Sequence, residues 1–223
     1  MIKIVGVAHV INLRNKIYAL MDYEMPDAVA LELDQYRLNA LLNKVHESKG
    51  ISMFNILGII QKRIASFQNV SPGEEMLAAY EKASLLNKPV FLIDMDIKQT
   101  YYKYKKEVRL IEKIKLFFSI FFSFIPRKSS SISLEEVLQN ESKFIEGFRK
   151  SYPSFVKVLL DDREEYMARN LANLEKYGKV LAFVGDGHLN GLKKRLPDAV
   201  TIPLKTFLEL NLPNNEFRMT IKL

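Results

Sequence analysis

Cysteine is absent from this chain of 223 residues, which excludes disulfides and thiolate metal sites and suits a reducing compartment. Long apolar runs are absent too. The longest uncharged run in the most apolar region, residues 116–125, would form a helix about 15 Å long, whereas a membrane span needs ~20 residues. Met1 leads directly into a strand-like run, so no secretory leader is expected. Acidic residues are in deficit, leaving a net charge of +7. Much of the excess falls at Lys98, Lys103, Lys105, Lys106, Arg109, Lys113, Lys115, Arg127 and Lys128. No nucleic-acid motif accompanies it and few basic residues flank the histidine turns, so nucleic acid is not an expected partner. The expected location is cytoplasmic, with association at a membrane surface as a variant.

Histidine and glycine are scarce, at 3 and 9 residues, and two of the histidines share one setting. Residues 2–8, IKIVGVA, form a short apolar run that ends in Gly6-Val7-Ala8-His9. Residues 179–184, KVLAFV, form another that ends in Gly185-Asp186-Gly187-His188. Such short continuous runs read as strands buried on both faces of a parallel sheet. Each histidine follows a glycine by three residues. Glycine there permits a positive φ or a close backbone approach. After His188, Leu189, Leu192 and Leu196 recur at helical spacing. A helix N-terminus disfavours imidazolium, so the ring is expected to stay neutral, able to bind a metal or accept a proton. The third, His46, falls in the last turn of an expected helix and carries no sign of chemistry.

The remaining chain alternates strands and helices. Ile17, Leu20 and Met21 give a helical face. Residues 28–33, AVALEL, form a second strand with Glu32 near its carboxyl end, and Asp34 is placed to cap the helix that follows. A carboxylate in an apolar strand needs a partner, and Arg37, one turn into that helix, is the expected one. Residues 52–66 read as a helix, and Ser71-Pro72-Gly73-Glu74 as a capping box that opens another. Residues 89–93, PVFLI, form a third strand with Asp94 at its end, followed by Asp96 as a helix cap. Residues 152–177 hold a long helical pattern flanked by Arg163 and Glu164, whose charges either reach into the interior beside the sheet end or pair with each other as a rim. Residues 199–202 form a last short strand, and the alternating tail 217–223 reads as an edge strand. The order implies an α/β fold: a mostly parallel central sheet with flanking helices, a single domain over 1–223 with a helical insertion at about 101–178.

In open parallel sheets, ligands bind at the carboxyl ends of the strands. His9, Glu32, Asp94 and His188 all fall at such ends. Two imidazoles with one or two carboxylates suit a divalent transition metal with open positions. Bound there, it would lower the pKa of a water and polarise a carbonyl, the chemistry of hydrolysis.

The chain resembles the TraB/PrgY pheromone-shutdown family, part of a wider Tiki/GumN/erythromycin-esterase/ChaN-like group. The resemblance rests on GVAHV at 6–10, PDAVALELDQYR at 26–37, SPGEEM at 71–76, LIDMDIKQT at 92–100, DDREEYMA at 161–168 and VGDGHLNGL at 184–192. It implies a Tiki/ChaN-like fold with paired GxxH motifs and metal-dependent proteolysis of peptides. It implies His9, His188 and Glu32 around a divalent ion (Mn, Co or Zn), with Arg37, Glu75, Asp94, Arg163 and Tyr166 at matching positions around them. Three departures stand out. Family members often carry C-terminal transmembrane segments, and no stretch here has that length. Asp186 stands where the GxxH turn usually has a small residue, and Met95 where the family often has arginine.

The expected activity is therefore a metallopeptidase-like hydrolase acting on peptides. The alternative is a non-enzymatic protein of the same fold that binds a peptide or a cofactor; a third reading has a histidine as general base without a metal. Residues 110–125, LIEKIKLFFSIFFSFI, carry more large apolar side chains than one helix leaves in water. They are expected to form a homodimer interface, with peripheral membrane contact as the alternative.

Overall fold

The computed structural model describes residues 1–8, 11–43, 73–123 and 146–212, with the backbone alone at 117–123. His9, His46, the helix at 52–66, Ser71 and Pro72 of the first capping box, the side chains of Phe117, Phe118, Phe121, Phe122 and Phe124, the loop at 127–131, the Ser133/Glu136 capping box and the tail 217–223 lie outside what is described.

Among the described residues, five parallel strands form the sheet: β1 (Ile2–Val7), β2 (Ala28–Leu31), β3 (Val90–Leu92), β4 (Val180–Gly185) and β5 (Val200–Ile202), in the order β3-β2-β4-β1-β5. The α/β class and the parallel sheet expected from the strand pattern are as observed. β4 lies between β1 and β2, with Val7 opposite Gly185 and Leu31 opposite Phe183. Gly6 and Gly185, the first residues of the two GxxH motifs, therefore sit on neighbouring strands one residue out of register.

The strands alternate between two buried faces, as the pleat requires. Val5, Val29, Leu31, Leu181 and Phe183 face a core shared with Ile17, Leu20, Met21 and Met76. These four come from α1 (Arg14–Glu24) and, beyond α2 (Gln35–Leu42), from α3 (Glu74–Leu85). Ile4, Ala28, Ala30, Val180, Ala182 and Val184 face the other side, against Met167 and Leu171. The small residues Ala28, Ala30 and Ala182 leave room for that helix to approach closely.

Between β3 and β4 run α4 (Ile97–Glu107), α5 (Leu110–Ser123) and α6 (Pro153–Val156), then a π-helical turn (Lys157–Asp161) leading into α7 (Asp162–Ala172). The periodicity predicts one helix through residue 177. The structure instead widens it at the π turn and ends it at Ala172, ahead of a 3-10 turn at Glu175–Tyr177. After β4, a 3-10 turn (Asp186–His188) leads into α8 (Leu189–Arg195). Past β5, α9 (Leu204–Glu209) buries Leu204 and Phe207, an element that the short pattern after Pro203 did not reveal. Among the described residues no helix is long and apolar enough to cross a membrane.

Candidate functional site

Three strand ends and the helices α2, α7 and α8 bring charged side chains together. Glu32 directly follows β2, and its backbone N–H donates to the Phe183 carbonyl at 3.1 Å. This extra rung fixes the side chain at the sheet's rim. Its Oε2 accepts from the Gly185 N–H at 2.6 Å, and its Oε1 accepts from Arg163 Nη2 at 2.5 Å. His188 Nε2 lies 3.3 Å from the same Oε1.

Asp94 follows β3. Its Oδ1 accepts from its neighbour, the Met95 N–H, at 2.7 Å and from Arg163 Nε at 3.0 Å. Its Oδ2 accepts from Arg163 Nη2 and from Arg37 Nη2, each at 2.5 Å. One planar guanidinium thus clamps two carboxylates from different strands, a geometry that lysine cannot reproduce. The π turn contributes to the hold on Arg163, because the Leu159 carbonyl accepts from Nη1 at 3.2 Å. Such turns recur at functional sites in helices.

The partner expected for Glu32 was Arg37; the structure gives it Arg163 instead. Arg37 pairs with Asp34 at 2.9 Å and with Asp94. Asp34 caps α2 as expected, accepting from the Arg37 N–H at 2.8 Å, and its other oxygen accepts from the Ile97 N–H at 2.9 Å. A single side chain therefore holds the starts of α2 and α4 together.

His188 is buried, 5% exposed, as the N-cap of α8. Its Nδ1 faces Glu164 Oε1 at 3.6 Å, an ion-pair separation rather than a hydrogen bond. Arg195 Nη1 donates to the other Glu164 oxygen at 2.7 Å. Burial disfavours the imidazolium, but the Glu32 and Glu164 carboxylates outweigh it and raise the pKa to about 9. With no metal bound, carboxylates at both ring nitrogens thus favour the imidazolium over the neutral ring expected at a helix start, against a dipole that a short helix makes weak. Burial likewise pushes the Glu32 and Asp94 pKa values up, yet both end below the usual range, Glu32 well below it, because His188 and Arg163 face Glu32 and Arg163 and Arg37 face Asp94. Arg163 itself is raised by the same two carboxylates against the cost of its burial.

Two glycines record how tightly this end is packed. A Cβ on Gly6 would overlap the Asp186 carboxylate, and one on Gly191 would overlap that of Glu164. Gly6 is a strand residue without positive φ, so close approach is the reason for it. Asp186 has its own task, since Oδ1 accepts from the Leu204 N–H at 2.6 Å and joins the GxxH turn to the start of α9.

The structure therefore brings together Glu32, Arg37, Asp94, Arg163 and His188. Glu75 is buried in the first turn of α3, and Tyr166 is 39% exposed on α7. Sequence reasoning missed Arg195; of the two readings it left for Arg163 and Glu164, an inward reach beside the sheet end or a mutual pair at the rim, the structure shows the inward one. The signal was present in part: Glu164 sits beside Arg163, and Gly191 breaks a helix that alanine would suit better.

Among the described residues, no group of three histidine or carboxylate side chains is set to hold a metal ion. Glu32 Oε1 and His188 Nε2 nevertheless fit as part of such a set. Their separation is 3.3 Å, and two ligands on one tetrahedral ion with bonds near ~2.1 Å stand about 3.4 Å apart. Around them, the carboxylates of Glu32, Asp34, Asp94 and Glu164 outnumber the guanidiniums of Arg37, Arg163 and Arg195 by one. The surplus negative charge favours a cation, whether an imidazolium or an ion. Arg163 shares the same Glu32 oxygen and would remain beside it.

A parallel α/β sheet with a buried carboxylate–guanidinium–imidazole cluster at its strand ends defines the class of domain. Residues 2–198 match the TraB/PrgY/gumN family, and the chain belongs to it. The uncharacterized protein MJ1365 of Methanocaldococcus jannaschii is 30% identical in an alignment of 212 positions that covers 87% of this chain and 53% of that protein. The chain spans about half the length of that relative.

Proposed function

We propose that this chain is a hydrolase of peptide bonds working at the carboxyl ends of β1, β2 and β4. The observation that carries the reading is the Glu32–His188 pair, 3.3 Å apart and buried at the rim of a parallel sheet, in a chain of this family. His188, Glu32 and His9 would hold a divalent transition metal, Mn, Co or Zn. When bound, it supplies Lewis acidity and a water of lowered pKa.

The chain's own residues have separate tasks. Gly185 N–H and Arg163 hold the Glu32 carboxylate in one orientation and ionised. Glu164, steadied by Arg195, faces Nδ1 of His188 and leaves Nε2 turned toward Glu32. Arg37 is the most exposed member of the Asp94 pairings, with 28% of its side chain accessible, and offers a guanidinium to a peptide carbonyl or terminal carboxylate.

The test is metal analysis of protein purified without a histidine tag, with turnover on a peptide library. A bound ion lost in both His9→Ala and His188→Ala, with turnover abolished by chelator and restored by the metal, is the expected result. Wild-type metal affinity in both variants overturns the site. Arg37→Met should raise KM or abolish turnover in a folded protein, and wild-type kinetics there would remove Arg37 from the substrate site.

One observation favours the non-enzymatic alternative, a peptide- or cofactor-binding protein. Both oxygens of Glu32 and both of Asp94 already accept donors. Peptide binding without turnover, in metal-loaded protein, would establish that reading.

A further inference from the structure

Away from the strand ends, α4 and α5 present an unusual surface. On α4, Lys98, Tyr102, Lys105 and Lys106 recur at helical spacing and are all exposed. Lys106 lies over the Tyr102 ring, 5.8 Å from its centroid. On α5, Leu110 is 72% exposed, Ile111 55% and Ile114 42%. The opposite side of α5 is already occupied. Glu112 is buried and accepts from the Ser154 and Phe155 N–H groups at 3.3 and 3.0 Å, capping α6. Leu116 packs on Val108, Phe155, Val158 and Leu159. A helix with one apolar face in the core thus carries a second one in solvent.

The facing ends of the two helices are fastened. Lys113 Nζ donates to the Lys105 carbonyl at 3.0 Å and lies 4.9 Å above the Tyr104 ring. The aliphatic patch therefore adjoins the basic end of α4. The exposed charges at this junction are Lys105, Lys106, Arg109 and Lys115 against Glu107, which is paired with Lys157.

We propose that this surface docks on an anionic lipid bilayer, with Leu110, Ile111 and Ile114 in the headgroup–acyl boundary and the basic residues on the lipid phosphates. Exposed aliphatics ringed by lysines that can extend to the phosphates are the physical requirement for interfacial binding. Charge decides between occupants. A two-fold copy would bring two basic rims together in a low-dielectric contact, where like charges repel most strongly. An anionic surface offers the complementary sign to every one of those residues.

The experiment is flotation of the full chain with vesicles of phosphatidylcholine alone and of equal parts phosphatidylcholine and phosphatidylglycerol. The chain should float with the anionic vesicles and less at high salt, and stay behind with the neutral ones. Lys105→Glu/Lys106→Glu should weaken partitioning at least about ten-fold. Leu110→Ser/Ile111→Ser/Ile114→Ser should abolish it with circular dichroism unchanged, since all three side chains are already in water. A monomer by light scattering that ignores anionic vesicles overturns the proposal. So does undiminished flotation of the triple variant, or a dimer that this variant dissociates and that does not float.

Discussion

At the amino end of the sheet Glu24 is buried against two lysines, and at the carboxyl end Glu32 and Asp94 are buried against one arginine. Lys3 and Lys179 reach Glu24 at 2.5 and 3.0 Å from the rim, on side chains 18% and 34% exposed. Both are flexible point charges, and either can relax if the other is lost. Arg163 donates from Nε, Nη1 and Nη2 to three different residues and shares Asp94 with Arg37. Acid burial at the amino end is a clamp: together with the Met1 ammonium on the Gly178 carbonyl at 2.9 Å, it ties down the start of β1. At the carboxyl end Arg163 cannot be removed without stranding both Glu32 and Asp94. That interdependence is what preorganisation of a site requires, and it comes at a cost in stability that a structural ion pair does not need.

The sharpest way to break this comparison is to remove one cation from each end. Arg163→Met leaves Glu32 and Asp94 buried without their shared partner, and should cost about 3–5 kcal/mol of stability and all of the turnover proposed above. Lys3→Met leaves Lys179 on Glu24 and should cost about 1 kcal/mol or less. Denaturant unfolding of both variants provides the ratio. Equal losses would mean that the carboxyl-end cluster is no more interdependent than the clamp.

Packing around the site gives the next effect. Alanine in place of a helical glycine ordinarily gains up to ~1 kcal/mol. Gly147 is helical, exposed and has open space where a Cβ would be, so Gly147→Ala should follow that rule. At Gly191 the Cβ would overlap the Glu164 carboxylate. Gly191→Ala should therefore invert the sign, destabilising by about 1–3 kcal/mol and lowering turnover as Glu164 leaves His188. Stabilisation by both substitutions would show that Glu164 is free to move and does not hold the imidazole.

The contrast between the ends also explains how much was legible in the sequence. The strands announced themselves as short apolar runs because both faces of the sheet are covered, and the residues just beyond them, Glu32, Asp94 and His188, followed from strand direction alone. Asp34 and Asp96 were readable as caps because capping is local. Partnership was not. Glu32 lies 5 residues from Arg37 and 131 from Arg163, and proximity in sequence pointed to the wrong one. The π turn that presents Arg163 leaves no mark in a hydrophobic period, since it adds only a fraction of a residue per turn. Arg195 reads as one of several basic residues ending a short helix, a place where helix dipoles already favour them. Nothing local distinguishes its contact with Glu164. The imidazole's charge depends on two carboxylates from other elements, so the dipole argument had no access to it.

The smallest expected effect is the pH response of the amino-end clamp. Burial alone would raise the Glu24 pKa, but the Lys3 and Lys179 ammonium groups outweigh it and hold the pKa below its usual 4.5. A folded-state pKa below the unfolded one adds stability that is complete above the unfolded value and lost as the pH falls through the folded one. Glu24→Gln should therefore cost about 0.5–1 kcal/mol near neutrality, discounted because both lysines remain partly in water. It should cost progressively less as the pH drops below the ordinary glutamate range. Unfolding midpoints of wild type and Glu24→Gln, measured from about pH 7 down to about pH 3, should converge before the main acid transition. Curves that stay parallel throughout would mean that Glu24 titrates alike in the folded and unfolded chains and that its lysines stabilise the fold by packing alone.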